Sequence, residues 1–280
     1  MKPLAIDLYA GLGGWTDGLL ATGWDVIGFD IEQHVYGEDR YPAQLVVQDV
    51  LTLHGSQFKN ADLIVASPPC QEYSWMAMPW GRAKQVGRAL RGQDVFPDNY
   101  KGSRTIEDLN RLFNACFRIQ REACEAAGRH IPMVVENVRG AEPWVGRARW
   151  NFGSFYLWGD VPAMMPPVRR YGPTEGNKRT GRTMCYPAGS ANPEAVKGRT
   201  GTLHWQDESR KVAGFRFDGS GGSFQTASVA KEFGWSRDSD VRNNSSKSPA
   251  RIAASARIAK IPATLSAWIG QVYLPKQKAA

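Results

Sequence analysis

The sequence predicts an α/β fold built on an open sheet whose strands carry working groups at their carboxyl ends. Three observations predict it. A short apolar run, Leu4 to Tyr9, breaks into Ala10-Gly11-Leu12-Gly13-Gly14 and then a helix-forming stretch from Trp15 to Thr22, stopped at Gly23. A second run, Val26 to Phe29, ends in Asp30-Ile31-Glu32, roughly 20 residues after the glycines, the spacing of a ribose-binding acid in a Rossmann-like unit. A third, Leu63 to Ala66, gives way at once to Ser67-Pro68-Pro69-Cys70-Gln71. Two prolines fix φ and prevent an ordinary helix start, so they hold Cys70 in a rigid turn just past a strand. A cysteine at that edge is a candidate nucleophile.

The glycine turn between strand and helix lets a ligand approach the backbone and the helix N-terminus. An acid at Asp30 or Glu32 can accept ribose hydroxyls, and Leu45 to Val47 reads as a further strand that delivers Asp49 toward a cofactor base. The glycines follow G-x-G-G rather than the dinucleotide pattern G-x-G-x-x-G. Asp7, at the end of the first strand, would repel a pyrophosphate but suits a cofactor bearing an ammonium or sulfonium charge. These residues point to S-adenosylmethionine rather than NAD. The plainer alternative is a turn that serves packing, with solvated acids at the strand ends.

At 280 residues and 31.0 kDa the chain can bury one large domain, or one domain and a smaller lobe. A formal charge of +8, from 35 Lys+Arg against 27 Asp+Glu, favours a polyanionic partner. The four cysteines, Cys70, Cys116, Cys124 and Cys185, show no CxxC pairing, and with four scattered histidines they form no convincing zinc set. There is no signal peptide and no apolar stretch of about 18 residues, so no membrane is implied and a reducing cytoplasm is the expected compartment.

Residues 76 to 104 lose hydrophobic periodicity and carry Arg82, Lys84, Arg88, Arg91, Lys101 and Arg104, a composition that reads as a mobile, phosphate-contacting lid or simply a solvated loop. A helix is predicted from Thr105 to Ala127, with Thr105 and Asp108 as an N-cap pair and Gly128 as the stop. Leu109, Leu112, Phe113, Cys116 and Ala123 fall at helical spacing, so Cys116 and Cys124 read as ordinary helix residues. The strand Pro132 to Val135 then delivers Glu136-Asn137-Val138-Arg139.

DLYAGLGG, the acids at 30 to 32, QDV with Asp49, SPPCQ and VENV occur in the order and approximate spacing of the DNA (cytosine-5)-methyltransferase family, which residues 4 to 138 therefore resemble. The resemblance implies a Rossmann-like S-adenosylmethionine-dependent methyltransferase fold with a small inserted recognition lobe. It implies that Cys70 is the nucleophile toward cytosine C6 and that Glu136 holds cytosine N3. Asp7, Tyr9, Gly11, Gly13, Gly14, Asp30, Ile31, Glu32, Asp49, Val50 and Pro68 would line the cofactor site. Gln71, Ser74, Arg82, Lys84, Arg88, Asn137, Arg139, Arg147 and Arg149 would face nucleic acid, Asn137 also positioning the turn that carries Glu136. The implied partner is double-stranded DNA with a flipped cytosine.

The family's Gln-x-Arg-x-Arg cluster is missing before the strand-like Tyr156-Leu157-Trp158, and Arg147 and Arg149 are the nearest substitutes. Residues 160–249 form an irregular, basic stretch in the family's target-reading position; from 160 to 250 it carries 14 Lys+Arg against 9 Asp+Glu. Arg169, Arg170, Lys178, Arg179 and Arg182, mixed with tyrosines and Trp205, suggest a lobe that clamps DNA. From Ala250 to Leu274 helical character returns, with Pro262 in a helix's first turn and an apolar stripe of Leu265, Trp268, Ile269 and Val272. The expected division is therefore 1–159 and 250–274 as one catalytic domain around a 160–249 insertion. The chain reads as a monomeric, standalone cytoplasmic enzyme of bacterial or viral type, with room for a companion restriction enzyme. Three other readings stand beside it: a modified donor such as carboxy-S-adenosyl-L-methionine giving carboxymethylcytosine, the same chemistry on RNA, and a nucleic-acid-binding protein without catalysis.

Overall fold

A computed structural model describes residues 2–74, 80–92, 105–152, 155–165 and 248–275. The elements run β1 (Leu4–Leu8), α1 (Gly14–Ala21), β2 (Asp25–Asp30), β3 (Val35–Tyr36), β4 (Asp39–Arg40), β5 (Gln44–Val47), β6 (Leu63–Ala66), α2 (Trp80–Leu90), α3 (Ile106–Ala127), β7 (Met133–Asn137), α4 (Glu142–Val145), β8 (Trp150–Phe152), β9 (Phe155–Gly159), α5 (Pro249–Ala259) and α6 (Ala263–Tyr273). The inserted stretch with Arg169, Arg170, Lys178, Arg179 and Arg182 lies outside the described residues.

Seven strands form one sheet in the order β5-β2-β1-β6-β7-β9-β8. The first five are parallel, β9 pairs antiparallel with β7, and β8 antiparallel with β9. The chain steps outward from β1 to β5 and then resumes on the other side of β1 at β6. The topological switch point, where open α/β sheets bind ligands, therefore falls between β1 and β6.

Alternation along the strands builds two apolar layers. Ile6, Leu8, Ile64, Ala66, Met133 and Val135 face α3, where Leu109, Phe113, Cys116, Ile119 and Ala123 form the buried stripe. Ala5, Leu63, Val65 and Val134 face the opposite way, onto Trp15 and Leu19 of α1 and Leu265 and Ile269 of α6. Thr105 caps α3 as expected, its hydroxyl accepting the Asp108 N–H at 3.0 Å, and Gly128 ends it in the left-handed conformation.

The last helix packs on the first through missing side chains. A Cβ at Gly18 would sit 2.0 Å from Ser266 Oγ and 2.3 Å from the Ala267 backbone nitrogen, and one at Gly14 would sit 2.2 Å from the nitrogen of Ile261. Trp24 locks the contact by donating its indole N–H to the Gly270 carbonyl at 3.0 Å. Thus the stretch after residue 248 returns to the first helix, and Arg257 of α5 reaches the β3–β4 hairpin by pairing with Asp39 at 2.6 Å.

Several local expectations change. Residues 80–90, read as aperiodic, form α2; its short apolar face, Ala83 and Val86, is buried against Trp144 and is masked in the sequence by glycines and cations around it. Pro262 occupies the N-cap of α6 rather than its first turn, and Val272 is 45% exposed because only Leu265, Ser266, Ile269 and Gly270 turn toward the sheet. Among the described residues no helix is long and apolar enough to cross a membrane.

Candidate active site

The carboxyl ends of β1, β2, β6 and β7 converge on one edge of the sheet. At the end of β1 the backbone of Tyr9 takes φ +58°, a left-handed conformation rare for an aromatic residue. Its hydroxyl is held by donating to the Leu112 carbonyl of α3 at 2.9 Å, which fixes the strained residue from the side-chain end. Gly11 and Gly13 follow with φ +52° and +74°. The two glycines do different work. A Cβ at Gly11 would meet nothing closer than the Tyr9 carbonyl at 4.0 Å, whereas one at Gly13 would lie 2.4 Å from the Pro42 ring. Gly11 leaves its turn open to a ligand, while Gly13 is packed against the protein.

Gly14, expected in the cofactor site, is instead pressed against Ile261 and serves the α1–α6 contact. Asp7 also differs from expectation. It is 1% exposed beneath α1, where its Oδ2 accepts the Thr16 hydroxyl at 2.7 Å and the more distant Tyr41 hydroxyl at 3.4 Å. Its Oδ1 is buried and has no hydrogen-bond partner among the described residues. Burial pushes its carboxyl up to about 8, with the nearby Asp30 and Asp17 charges adding to the rise and the Thr16 and Tyr41 hydrogen bonds opposing it. Asp7 therefore shapes the site from behind the turn and offers no open carboxylate.

Asp30 closes the turn from β2. Its Oδ2 accepts the Gly11 N–H at 2.8 Å and its Oδ1 the Glu32 N–H at 3.3 Å. Ile31, next to it, is 67% exposed, and Glu32 is exposed as well. The hairpin, which gave no signal in the sequence, sets His34 3.6 Å from Asp30 and 3.7 Å from Glu32. Asp49 caps the following turn by accepting the Leu51 N–H at 2.9 Å, with Val50 buried behind it. An open backbone turn, an acid at the β2 end, an exposed apolar side chain and an acid at the β5 end form a donor set that fits a nucleoside-bearing cofactor.

The proline turn is fastened on both sides. Trp15 of α1 donates its indole N–H to Ser67 Oγ at 3.0 Å, and Asn137 of β7 donates its amide to the Pro68 carbonyl at 2.9 Å. Pro68 is buried and Cys70 is half-buried. The Cys70 carbonyl accepts the N–H groups of Tyr73 and Ser74 at 3.0 and 2.8 Å, so one tight turn carries the thiol. Gly140, just past β7, permits close approach: a Cβ there would be 2.1 Å from the Tyr73 carbonyl. Glu136 is buried on β7, whose neighbour Val135 pairs with Ala66 of β6.

Asn137, expected to face nucleic acid, is 1% exposed, with its Oδ1 accepting the Val138 N–H at 2.8 Å, and its amide turns inward to the proline turn. Arg82 is engaged with Glu72. Gln71, Lys84, Arg88, Arg139, Arg147 and Arg149 are exposed and Ser74 is half-buried. Cys116 is fully buried on α3, and burial holds its thiol far above the ordinary thiol range, which makes it chemically inert. Tyr73 and Asn110 were invisible as site residues, because their role arises from contacts between distant segments.

The family of C-5 cytosine-specific DNA methylases matches the chain over residues 4–87. That stretch contains the glycine turn, both strand-end acids, the proline turn with Cys70 and most of α2. The parallel strands with their switch point and the antiparallel last pair, together with this match, define a Rossmann-like class I S-adenosyl-L-methionine-dependent methyltransferase fold. Through residues 4–87 it is related to the cytosine-5 methylases, and S-adenosyl-L-methionine is its cofactor. Among solved structures, the chain is similar to a protein described as a DNA modification methyltransferase of an E. coli prophage, at 24% identity, TM-score 0.30, over 50% of this chain and 33% of that one. Entamoeba histolytica methyltransferase EhMeth shows 14% identity and TM-score 0.35 over 60% and 56% of the two chains. S. pombe Dnmt2 methyltransferase shows 16% identity and TM-score 0.29 over 51% and 36%. The matched parts thus span from a third to just over half of those proteins. No curated protein matches the chain.

Proposed function

We propose that the protein methylates C5 of cytosine in DNA through a transient bond between Cys70 and C6. The observation that carries this reading is the 2.9 Å hydrogen bond from Asn137 to the Pro68 carbonyl. It ties the strand bearing Glu136 to the turn bearing Cys70, at the same sheet edge as the open Gly11 turn.

C5 of cytosine is too poor a nucleophile to react unaided. Cys70, as thiolate, adds at C6, breaks the aromatic ring system and places enamine electron density on C5. Glu136 holds N3 by a hydrogen bond and stabilises the charge that develops in the ring. Bound S-adenosyl-L-methionine would supply the electrophilic methyl group to C5, its S–CH3 bond breaking and S-adenosylhomocysteine leaving as the neutral thioether. A base then removes the C5 proton, the electron pair returns to the ring, and the Cys70 sulfur leaves as thiolate. Asp30, Glu32 and Asp49 would orient the nucleoside part of the cofactor, and Ile31 would cover a face of its base. Because C5 is inaccessible in a stacked duplex, the cytosine is taken out of the helix.

The test is mass spectrometry of nucleosides after incubating the protein with S-adenosyl-L-methionine and either DNA or RNA. A methyl gain on DNA cytosine supports the reading. Modification of RNA alone would move the substrate, a carboxymethyl gain with a carboxylated donor would move the donor, and no gain on either polymer would overturn the proposal. Duplex containing 5-fluorocytosine should trap the wild type covalently and not Cys70→Ser. Glu136→Gln should lose about 10²–10⁴-fold in rate with little change in DNA affinity, and an unaltered rate would remove Glu136 from the chemistry.

A further inference from the structure

We propose that Glu72 is a positioning residue: its ion pair with Arg82 couples the basic face of α2 to the turn carrying Cys70, so that phosphate held by α2 sets the place of the thiol. The role of the thiol rests on the proposed methyl transfer, whereas the coupling rests on contacts alone.

Those contacts form a closed ring. Glu72 lies inside the turn whose Cys70 carbonyl accepts the Tyr73 and Ser74 N–H groups. Tyr73 is buried, its hydroxyl donating to the Leu109 carbonyl at 3.1 Å and to Asn110 Oδ1 at 2.9 Å. Asn110 donates its amide to the Trp144 carbonyl at 3.1 Å. Trp144 packs on Ala83 and Val86 of α2, and Arg82, in the first turn of the same helix, returns to Glu72. The nucleophile turn is thus fastened to α2 twice, once through Tyr73 and Trp144 and once through Glu72.

On the other side of α2, Lys84, Arg88 and the turn residue Arg91 are exposed at i, i+4 and i+7, one helical face turned away from Ala83 and Val86. Such a face fits the phosphodiester backbone of a nucleic acid. Glu72 Oε1 pairs with Arg82, while its Oε2 is buried and has no hydrogen-bond partner among the described residues. A carboxylate half-satisfied in this way depends on Arg82, since removing that cation leaves the partly buried carboxylate without its counter-charge. Any shift of α2 is therefore transmitted to the residue two positions after Cys70.

The experiment follows alkylation of Cys70 by iodoacetamide in the full chain, read by peptide mass spectrometry, with and without a saturating short DNA duplex. In the wild type the duplex should change the Cys70 rate by about fivefold or more, and in Glu72→Gln and Arg82→Gln by less than about twofold, although duplex affinity moves by less than about threefold. The reversed pair, Glu72→Arg with Arg82→Glu, should restore the response, which a merely structural role would not predict. Direct shielding of the thiol by DNA would survive in the single variants at saturation. A full response in both single variants, no response in the wild type, or failure of a folded reversed pair to recover would each overturn the coupling. If the response behaves as stated while no methyl group is transferred to any polymer, the reaction falls and the coupling stands.

Discussion

Asp7 shows how burial can reassign a residue that composition marks as a ligand. Its carboxyl, pushed up to about 8 chiefly by desolvation, is protonated in the folded protein at pH values where the unfolded chain has already ionised it. The folded state then binds more protons than the unfolded state, so this group's contribution is full below about pH 4 and is lost as pH rises toward 8. Urea unfolding of Asp7→Asn from pH 5 to 8 should therefore show a flatter stability profile than the wild type, and parallel profiles would contradict the assignment. Asn137 makes the complementary point. Asn137→Ala removes the buried donor to the Pro68 carbonyl and the part-buried acceptor for Val138, and should cost about 1–3 kcal/mol together with a large loss of methyl transfer. A variant with wild-type stability and turnover would remove this amide from the site. Asp30 and Cys70 could be marked from their places after apolar runs. The burial of Asp7 and the Pro68 partner of Asn137 could not, because both depend on segments brought together from elsewhere in the chain.

At the scale of elements, the α1–α6 contact holds the glycine turn's helix against the sheet. Gly18→Ala drives a Cβ into Ser266 and the Ala267 backbone, so α6 must move, at a cost of about 1–3 kcal/mol. Guanidinium unfolding measures that loss, and an unshifted midpoint would show that the two helices yield freely. The parallel strands and α3 were legible because they carry continuous apolar runs or a clear cap and stop. The helix α2 was not. Its buried hydrophobic side chains are Ala83 and Val86, and Trp144 and Glu72, which hold it, lie outside its own helical repeat.

Over the whole molecule, a net charge of +8 and the exposed cations around the catalytic edge make phosphate attraction a general force rather than a single contact. Binding of a DNA duplex should weaken steeply with salt. Replacing Lys84, Arg88 and Arg91 together by Gln should lower the slope of log affinity against log salt by roughly 2–3, about 0.9 for each phosphate no longer neutralised. An unchanged slope across a salt titration would place the phosphate path elsewhere on the protein. Among the described residues the sheet is covered by helices on both faces, and the cations of α2 are exposed beside its carboxyl edge.

By itself the amino-acid sequence determined the α/β class, the glycine turn, the strand-end acids and the proline-bound cysteine, because each is a local property of a short stretch: an apolar run, a fixed φ, a missing Cβ. Only the tertiary structure decided that Asp7 is sealed in, that Gly14 serves a helix contact, that Asn137 joins the segment of Glu136 to the turn of Cys70, and that α2 exists and is pinned beside that turn. Those outcomes depend on burial and on hydrogen bonds between residues far apart in the chain, and neither is encoded in any one window of sequence.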